Sequence, residues 1–315
     1  MVAIGELSKG KRNSHQRPRR DGPRNERRPR KLTPRERYLG GDEYGGDEGS
    51  LHSAVKLLEE STQFRDQARF KFLMACCYRD LEQVTNSAGA DRPNATKAEA
   101  DIRYEEMASI LLTDLVDSYP ENASYRYELV ETLRRSHVEQ RAGGEEKGEE
   151  YGGLEIALKN VNLLVRRHPN QPKYLESRMH VLQRMGHSLR NQARDKGLSQ
   201  AQRDKILVAA IDTLEKASQD AVYLVVGWPD VALWRIWEVV VEASVAEALL
   251  MADKEKEALE RVRSSVNAFE QICQSESSRA QYADELPAIQ SVLRQVTRKV
   301  DSLELESRLM SALKE

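Results

Sequence analysis

The stretches ASILLTDLVDSYPENASY (108–125), ALKNVNLLVRRHPNQPKY (157–174) and ASQDAVYLVVGWPDVALW (217–234) share one register. Each is centred on a proline: Pro120, Pro169 or Pro229. Twelve residues before it stands an alanine: Ala108, Ala157 or Ala217. Leu-Val falls five and four before it: Leu115-Val116, Leu164-Val165 and Leu224-Val225. A ring comes immediately before it (Tyr119, His168, Trp228), and a large aromatic comes five after it: Tyr125, Tyr174 and Trp234. So many coincidences, held in register three times, mark an internal repeat.

The chemistry of the register is that of two helices and a turn. Alanine lets its helix approach a neighbour closely. Leu-Val is the buried end of that helix. Proline resets the chain at the start of the next helix, because it fixes φ and carries no N–H. The aromatic lies about one turn into that helix and plugs the groove between the pair. Weaker copies flank the three. Ser277 as origin has Ile272-Cys273 before it and Tyr282 after it; Gln63 has Leu58 before it but Ala68 where the aromatic should be. The origins are then 57, 49, 60 and 48 residues apart.

Apolar residues recur at helical spacing from Leu51 onward. The pattern predicts helices near 51–62, 64–85, 95–118, 121–142, 151–168, 170–195, 200–226, 229–252, 254–275 and 283–313. No run of alternating β-branched residues suggests a sheet. The expected class is all-α: about five antiparallel hairpins stacked over 51–315. In the last helix Leu286, Ile289, Leu293, Val296, Val300, Leu303 and Met310 fall at heptad spacing. That stripe either pairs with another chain as a coiled coil or caps the array. Pro287 belongs in its first turn, because an interior proline costs about 3 kcal/mol.

Residues 1–50 read differently. Residues 1–37 hold 13 Lys and Arg against 4 Asp and Glu, a charge of about +9. About −11 remains for the rest of a chain whose net charge is −2. A basic arm with no hydrophobic period cannot offset its ordering entropy and is expected to be disordered. It could hold a polyanion weakly and with salt dependence, or simply stay solvated. The string GGDEYGGDEG (40–49) nearly matches the signature of diguanylate cyclases. That signature needs a β-hairpin inside an α/β domain, whereas 39 Arg/Pro-rich residues precede this string and helices follow it. Asp42, Glu43, Asp47 and Glu48 therefore read as an acidic linker, with a domain boundary near residue 50.

The sequence carries none of the usual catalytic, cofactor or metal constellations. There is no Gly-x4-Gly-Lys loop, no His-Glu-x2-His, no Gly-x-Ser-x-Gly and no paired Cys-x2-Cys. His180 and His187 are seven apart, on one helical face but about 10 Å apart along the axis, too far to share one metal. Cys76, Cys77 and Cys273 make no disulfide framework. The apolar region 221–252 is broken by Pro229, Asp230, Arg235, Glu238, Glu242 and Glu247, so it reads as two buried helices rather than a membrane span. Without an apolar leader in the first residues, the expected location is the cytoplasm.

ASILLTDLVDSYPENASYRYELVETL (108–133), ALKNVNLLVRRHPNQPKYLESRMHVL (157–182) and, in part, ASQDAVYLVVGWPDVALWRIW (217–237) resemble the tetratricopeptide family of helical hairpins. Leu129, nine residues beyond Pro120, also fits that pattern, while Val130 stands where the family has a small residue. The repeat spacing is longer than the family's, so longer helices, long loops and an irregular superhelix are expected. YPENASYRYELVETL (119–133) also resembles helical-repeat regions attached to kinases and sigma-factor regulators of planctomycete-type bacteria. The resemblance implies a non-enzymatic scaffold for a protein or peptide. The expected groove residues are polar positions beside the aromatic plugs: Arg126, Glu128 and Arg178. Two alternatives stand beside it: a nucleic-acid-associated protein acting through the arm, and the C-terminal repeat region of a larger regulator.

Overall fold

The computed structural model describes residues 48–64, 66–87, 95–135, 149–300 and 302–312. The basic arm 1–37, the glycine-acid string up to residue 47 and residues 88–94 and 136–148 lie outside the described residues. Among the described residues, twelve α-helices account for nearly the whole: α1 (Glu48–Glu60), α2 (Ala68–Ser87), α3 (Ala95–Ser118), α4 (Ala123–Arg135), α5 (Glu149–Arg167), α6 (Pro172–Gln192), α7 (Gln200–Gly227), α8 (Ala232–Met251), α9 (Glu255–Gln274), α10 (Glu276–Gln281), α11 (Leu286–Lys299) and α12 (Leu303–Ala312). A 3-10 turn (Thr62–Phe64) joins the first two. Among the described residues there is no strand.

The proline register builds the same turn three times. The preceding ring's carbonyl accepts the N–H three residues on: Tyr119 from Asn122 (2.9 Å), His168 from Gln171 (3.1 Å) and Trp228 from Val231 (3.1 Å). Proline is therefore the second residue of a β-turn, where its fixed φ is favoured. The ring residue also closes the helix behind it, donating its N–H to Leu115, Leu164 or Leu224 at 2.9, 2.8 and 3.0 Å. The following helices begin at Ala123, Pro172 and Ala232, three residues beyond each proline. The sequence pattern puts Pro229 inside the next helix's first turn; it is instead a turn residue, and Pro172 takes the first helical position of α6.

Packing follows the register. Ala108, Ala157 and Ala217 are fully buried, as are Leu115, Leu164 and Leu224. Burying each leucine is worth about 1.5–3 kcal/mol. The ring before each proline meets the aromatic after it, with centroids 5.9 Å apart for Tyr119–Tyr125, 5.7 Å for His168–Tyr174 and 5.4 Å for Trp228–Trp234. Trp234 and Tyr174 are buried. Tyr125 is half-buried and lies 5.0 Å from Phe72 of α2. The aromatic thus does more than fill a groove: it clasps its own turn.

From α1 to α9 each helix packs on the next. Antiparallel hairpins in this succession stack as two layers, odd helices in one and even helices in the other, forming a superhelix. The even helices α2, α4, α6 and α8 also touch next but one along the stack. Gly186 permits a close crossing, since a Cβ there would land inside the Leu214 side chain of α7. The α8–α9 corner is turned by Asp253 in the left-handed region, φ 57°.

The C-terminal segment is not one helix. It breaks after Lys299 and folds back, so α11 and α12 form a short hairpin on α9, with α11 also touching α8. Leu286, Ile289, Leu293 and Val296 of α11 and Leu305 and Leu309 of α12 share a buried cluster with Ile236, Val239, Val262 and Phe269. The stripe read as heptads is spent within the chain, and Leu303, a member of it, points to solvent at 79% exposure. Three bonds close the hairpin: Gln290 donates to the Leu309 carbonyl (2.5 Å), and Arg294 and Arg298 reach Glu306. Pro287 does lie in the first turn of α11.

Candidate functional site: a polar seam in the even layer

Counted from their own prolines, α4 meets α6 and α6 meets α8 through a constant offset of three residues. Position 11 of one helix meets position 8 of the next. Glu131 of α4 accepts from Ser177 of α6 at 2.7 Å, and His180 of α6 lies 4.5 Å, ring to ring, from Trp237 of α8. Further along, His187 meets Ser244 at 2.9 Å and Arg190 pairs with Glu247. At the N-terminal end Arg79 of α2 pairs with Glu128 of α4. The result is a ladder of polar and aromatic rungs from α2 to α8.

The α4–α6 rung is the most charged. Glu131 is 5% exposed yet ionic, held by Arg134 at 2.5 Å and Arg135 at 3.3 Å. Burial alone would raise its carboxyl. The charges of Arg134 and Arg135 and the Ser177 hydroxyl outweigh burial and hold it well below the usual carboxylate range. Tyr127 packs over Tyr174 at 5.6 Å, and the Lys173 ammonium lies 4.8 Å and 5.1 Å from the two ring centres. Burial and the neighbouring Glu131 and Glu128 push the Tyr127 phenol up. Arg184 donates to the Arg134 carbonyl, closing the C-terminal turn of α4 against α6.

The residues expected to line a groove are found in intrachain contacts. Arg126 donates to Asn160 of α5 and, at 2.8 Å, to the Pro120 carbonyl. Arg178 grips Asp220 of α7 with two nitrogens, at 2.8 and 2.5 Å. These two reach toward the odd layer. Glu128 alone lies on the seam, where burial raises its carboxyl against the pull of Arg79. The aromatic plugs Tyr125, Tyr174 and Trp234 are brought to one edge, each beside its turn. Glu131, His180 and Trp237 are the seam residues that sequence reading does not single out as a site. Their signal is present: Glu131 and His180 both stand eleven residues past a proline, where a helix facing its neighbour would ordinarily be apolar.

The three cysteines are free thiols. Burial pushes Cys76 up to about 12, so it is an inert packing residue. Among the described residues no group of three or more His, Cys, Asp and Glu could hold a metal ion, and no helix is long and apolar enough to cross a membrane.

No protein-family model matches the chain, and no curated protein matches it. Solved structures of helical repeats do. One is a thermophilic TPR protein of Thermus thermophilus, at 15% identity, covering 74% of this chain and 100% of that one, with a TM-score of 0.28. Another is a de novo designed helical repeat protein, at 12% identity over 76% of this chain and 100% of that one, TM-score 0.25. A third comes from the design of self-assembling cyclic homo-oligomers, at 11% identity over 85% and 88%, TM-score 0.20. The class is defined by the hairpins themselves: an all-α fold of stacked helical hairpins, with a polar seam along its even layer.

Proposed function

We propose that this chain is a non-enzymatic scaffold that holds a protein or peptide segment along its even layer. The observation behind this reading is the ladder of rungs, which places half-buried rings and charges in one row across successive helices. Repeat arrays offer such extended surfaces to partners. Tyr127, Lys173, Glu176 and Trp237 are half-buried members of the row, so a partner can reach them. Glu128 contributes from the same row. Arg126 and Arg178 act at its margins, setting how α4 stands on α5 and α6 on α7. The working compartment in this reading is the cytoplasm, where free thiols stay reduced. The setting suggested by the resemblance is bacterial regulation.

The charge of the arm favours a second reading, nucleic-acid association through residues 1–37, and one experiment separates the two. Affinity capture is run with the full chain, with residues 1–37 deleted, and with Lys173→Glu, at low and high salt. A protein retained by the first two and lost with Lys173→Glu, on a variant of unchanged helicity, supports the scaffold reading. The same proteins retained by Lys173→Glu, or only salt-sensitive nucleic acid that disappears with the arm, overturns it.

A further inference from the structure

We propose that the α6–α8 seam is a pH-sensitive joint in which protonation of His180 loosens the contact between these two helices. The geometry sets this seam apart from its neighbours. Where α4 offers Glu131 to the next helix, α6 offers an imidazole in the same register position. The His180 ring stands perpendicular to Trp237, at 89° and 4.5 Å. The Trp237 indole nitrogen is buried there without a hydrogen-bond partner. One turn-pair further along, His187 forms the other histidine contact between the same two helices.

The two histidines differ in what a proton does to them. The Ser244 hydroxyl donates to the Val240 carbonyl at 2.9 Å, so its lone pair accepts the His187 Nε2–H. That bond survives protonation, since both ring nitrogens then donate. His180 has no such bond across the seam. Charged groups face it from two elements. Glu176, on its own helix, lies 3.9 Å from Nε2; from α4 come Arg134, which opposes a positive ring, and Glu131, which favours one. From α8 it meets the uncharged indole. Glu131 is already committed to Arg134, Arg135 and Ser177. A proton on His180 therefore adds a buried charge whose nearest acid, Glu176, stands on α6 itself and not across the joint on α8. Burial lowers the affinity of the ring for that proton, and Glu176 offsets this only in part. The sign follows: below the pH at which a free histidine titrates, about 6.5, the loosened state binds the proton better and gains population, up to about tenfold per pH unit.

The test uses the full chain between pH 8 and pH 5. Tryptophan emission and far-UV circular dichroism are read together with hydrogen exchange in α6 and α8, corrected for intrinsic rates. The expected result is a single-proton emission change with its midpoint below 6.5, helix content unchanged, and opening of α8 residues 232–240 rising as pH falls. Trp237→Phe should remove the emission amplitude. His180→Gln should flatten both curves, and His187→Gln should keep them. An emission or exchange curve that persists in His180→Gln, or is absent in the wild type, overturns the proposal. If His180→Gln does not fold, the His180 ring resonances of the wild-type chain decide. Titration below 6.5 in step with α8 exchange supports the joint, and an ordinary or uncoupled titration sinks it.

Discussion

Gly186 shows how much one missing methyl group decides in this protein. It sits mid-helix in α6, where glycine is ordinarily costly by about 1 kcal/mol against alanine. Here a Cβ would overlap the Leu214 side chain, which is itself fully buried. The close approach of α6 to α7 needs that space, so local propensity yields to packing. Gly186→Ala is expected to destabilise the chain by about 1–3 kcal/mol, as overpacking does, despite its better helix propensity. A denaturant melt reads it; an unchanged or raised midpoint would show that α7 can slide aside. Nothing in the sequence announces this glycine, because its role depends on a side chain 28 residues away.

At the scale of the element, the repeated turn is open to sequence reading and the seam is not. The turn is written in adjacent residues, a ring, a proline and a later aromatic, and each copy makes the same hydrogen bond and the same ring contact. The period of α3 predicts 95–118, as observed. A single helix over 283–313 is expected and not found, because the hydrophobic period continues across the break. Periodicity records which residues are buried, not whether the helix that buries them turns back. The groove residues follow from position beside the plugs, and sequence spacing alone does not say which layer a side chain faces. The α4–α6 rung carries its own expectation. Glu131→Ala leaves Arg134 buried and unpaired and should cost about 3 kcal/mol or more. The Glu131 carboxyl is held low in the folded state, so its contribution is present above the pKa of the unfolded chain, near 4.3. That contribution fades as pH falls toward the folded value. The wild-type melting temperature should therefore drop between pH 5 and pH 3, and Glu131→Ala should drop less across the same window. Parallel curves would mean that the rung is not an ionic support.

For the whole molecule, the stack must end somewhere without leaving an apolar face. α11 and α12 do this at the C-terminal end by covering Ile236, Val239, Val262 and Phe269. Lys299–Glu247 and Arg308–Glu270 fasten the hairpin at its two sides, at 2.6 and 2.5 Å. A chain ending at residue 282 is expected to self-associate, and light scattering over a concentration series would show its mass rising. A monodisperse monomer of that length would mean that α9 needs no cover. All-α class and hairpin stacking are legible because they rest on local periods. How far each hairpin slips on the next is not, since it is set by pairs of side chains from different repeats.

The constant offset of three residues has a consequence for how such a chain can change length. α6 receives α4 and meets α8 by one rule, so the rule composes. A hairpin copied in frame after α6 would again set position 11 against position 8, keeping the register while the rung changed from His180–Trp237 to His180–Ser177. Growth by duplication then requires no new register, only the old one used again. The departures from one spacing, 49 residues here and 60 there, fall between the repeated turns, where extra chain leaves the ladder undisturbed. Ancestry of this kind would be recorded in the seam residues long after the loops had drifted apart.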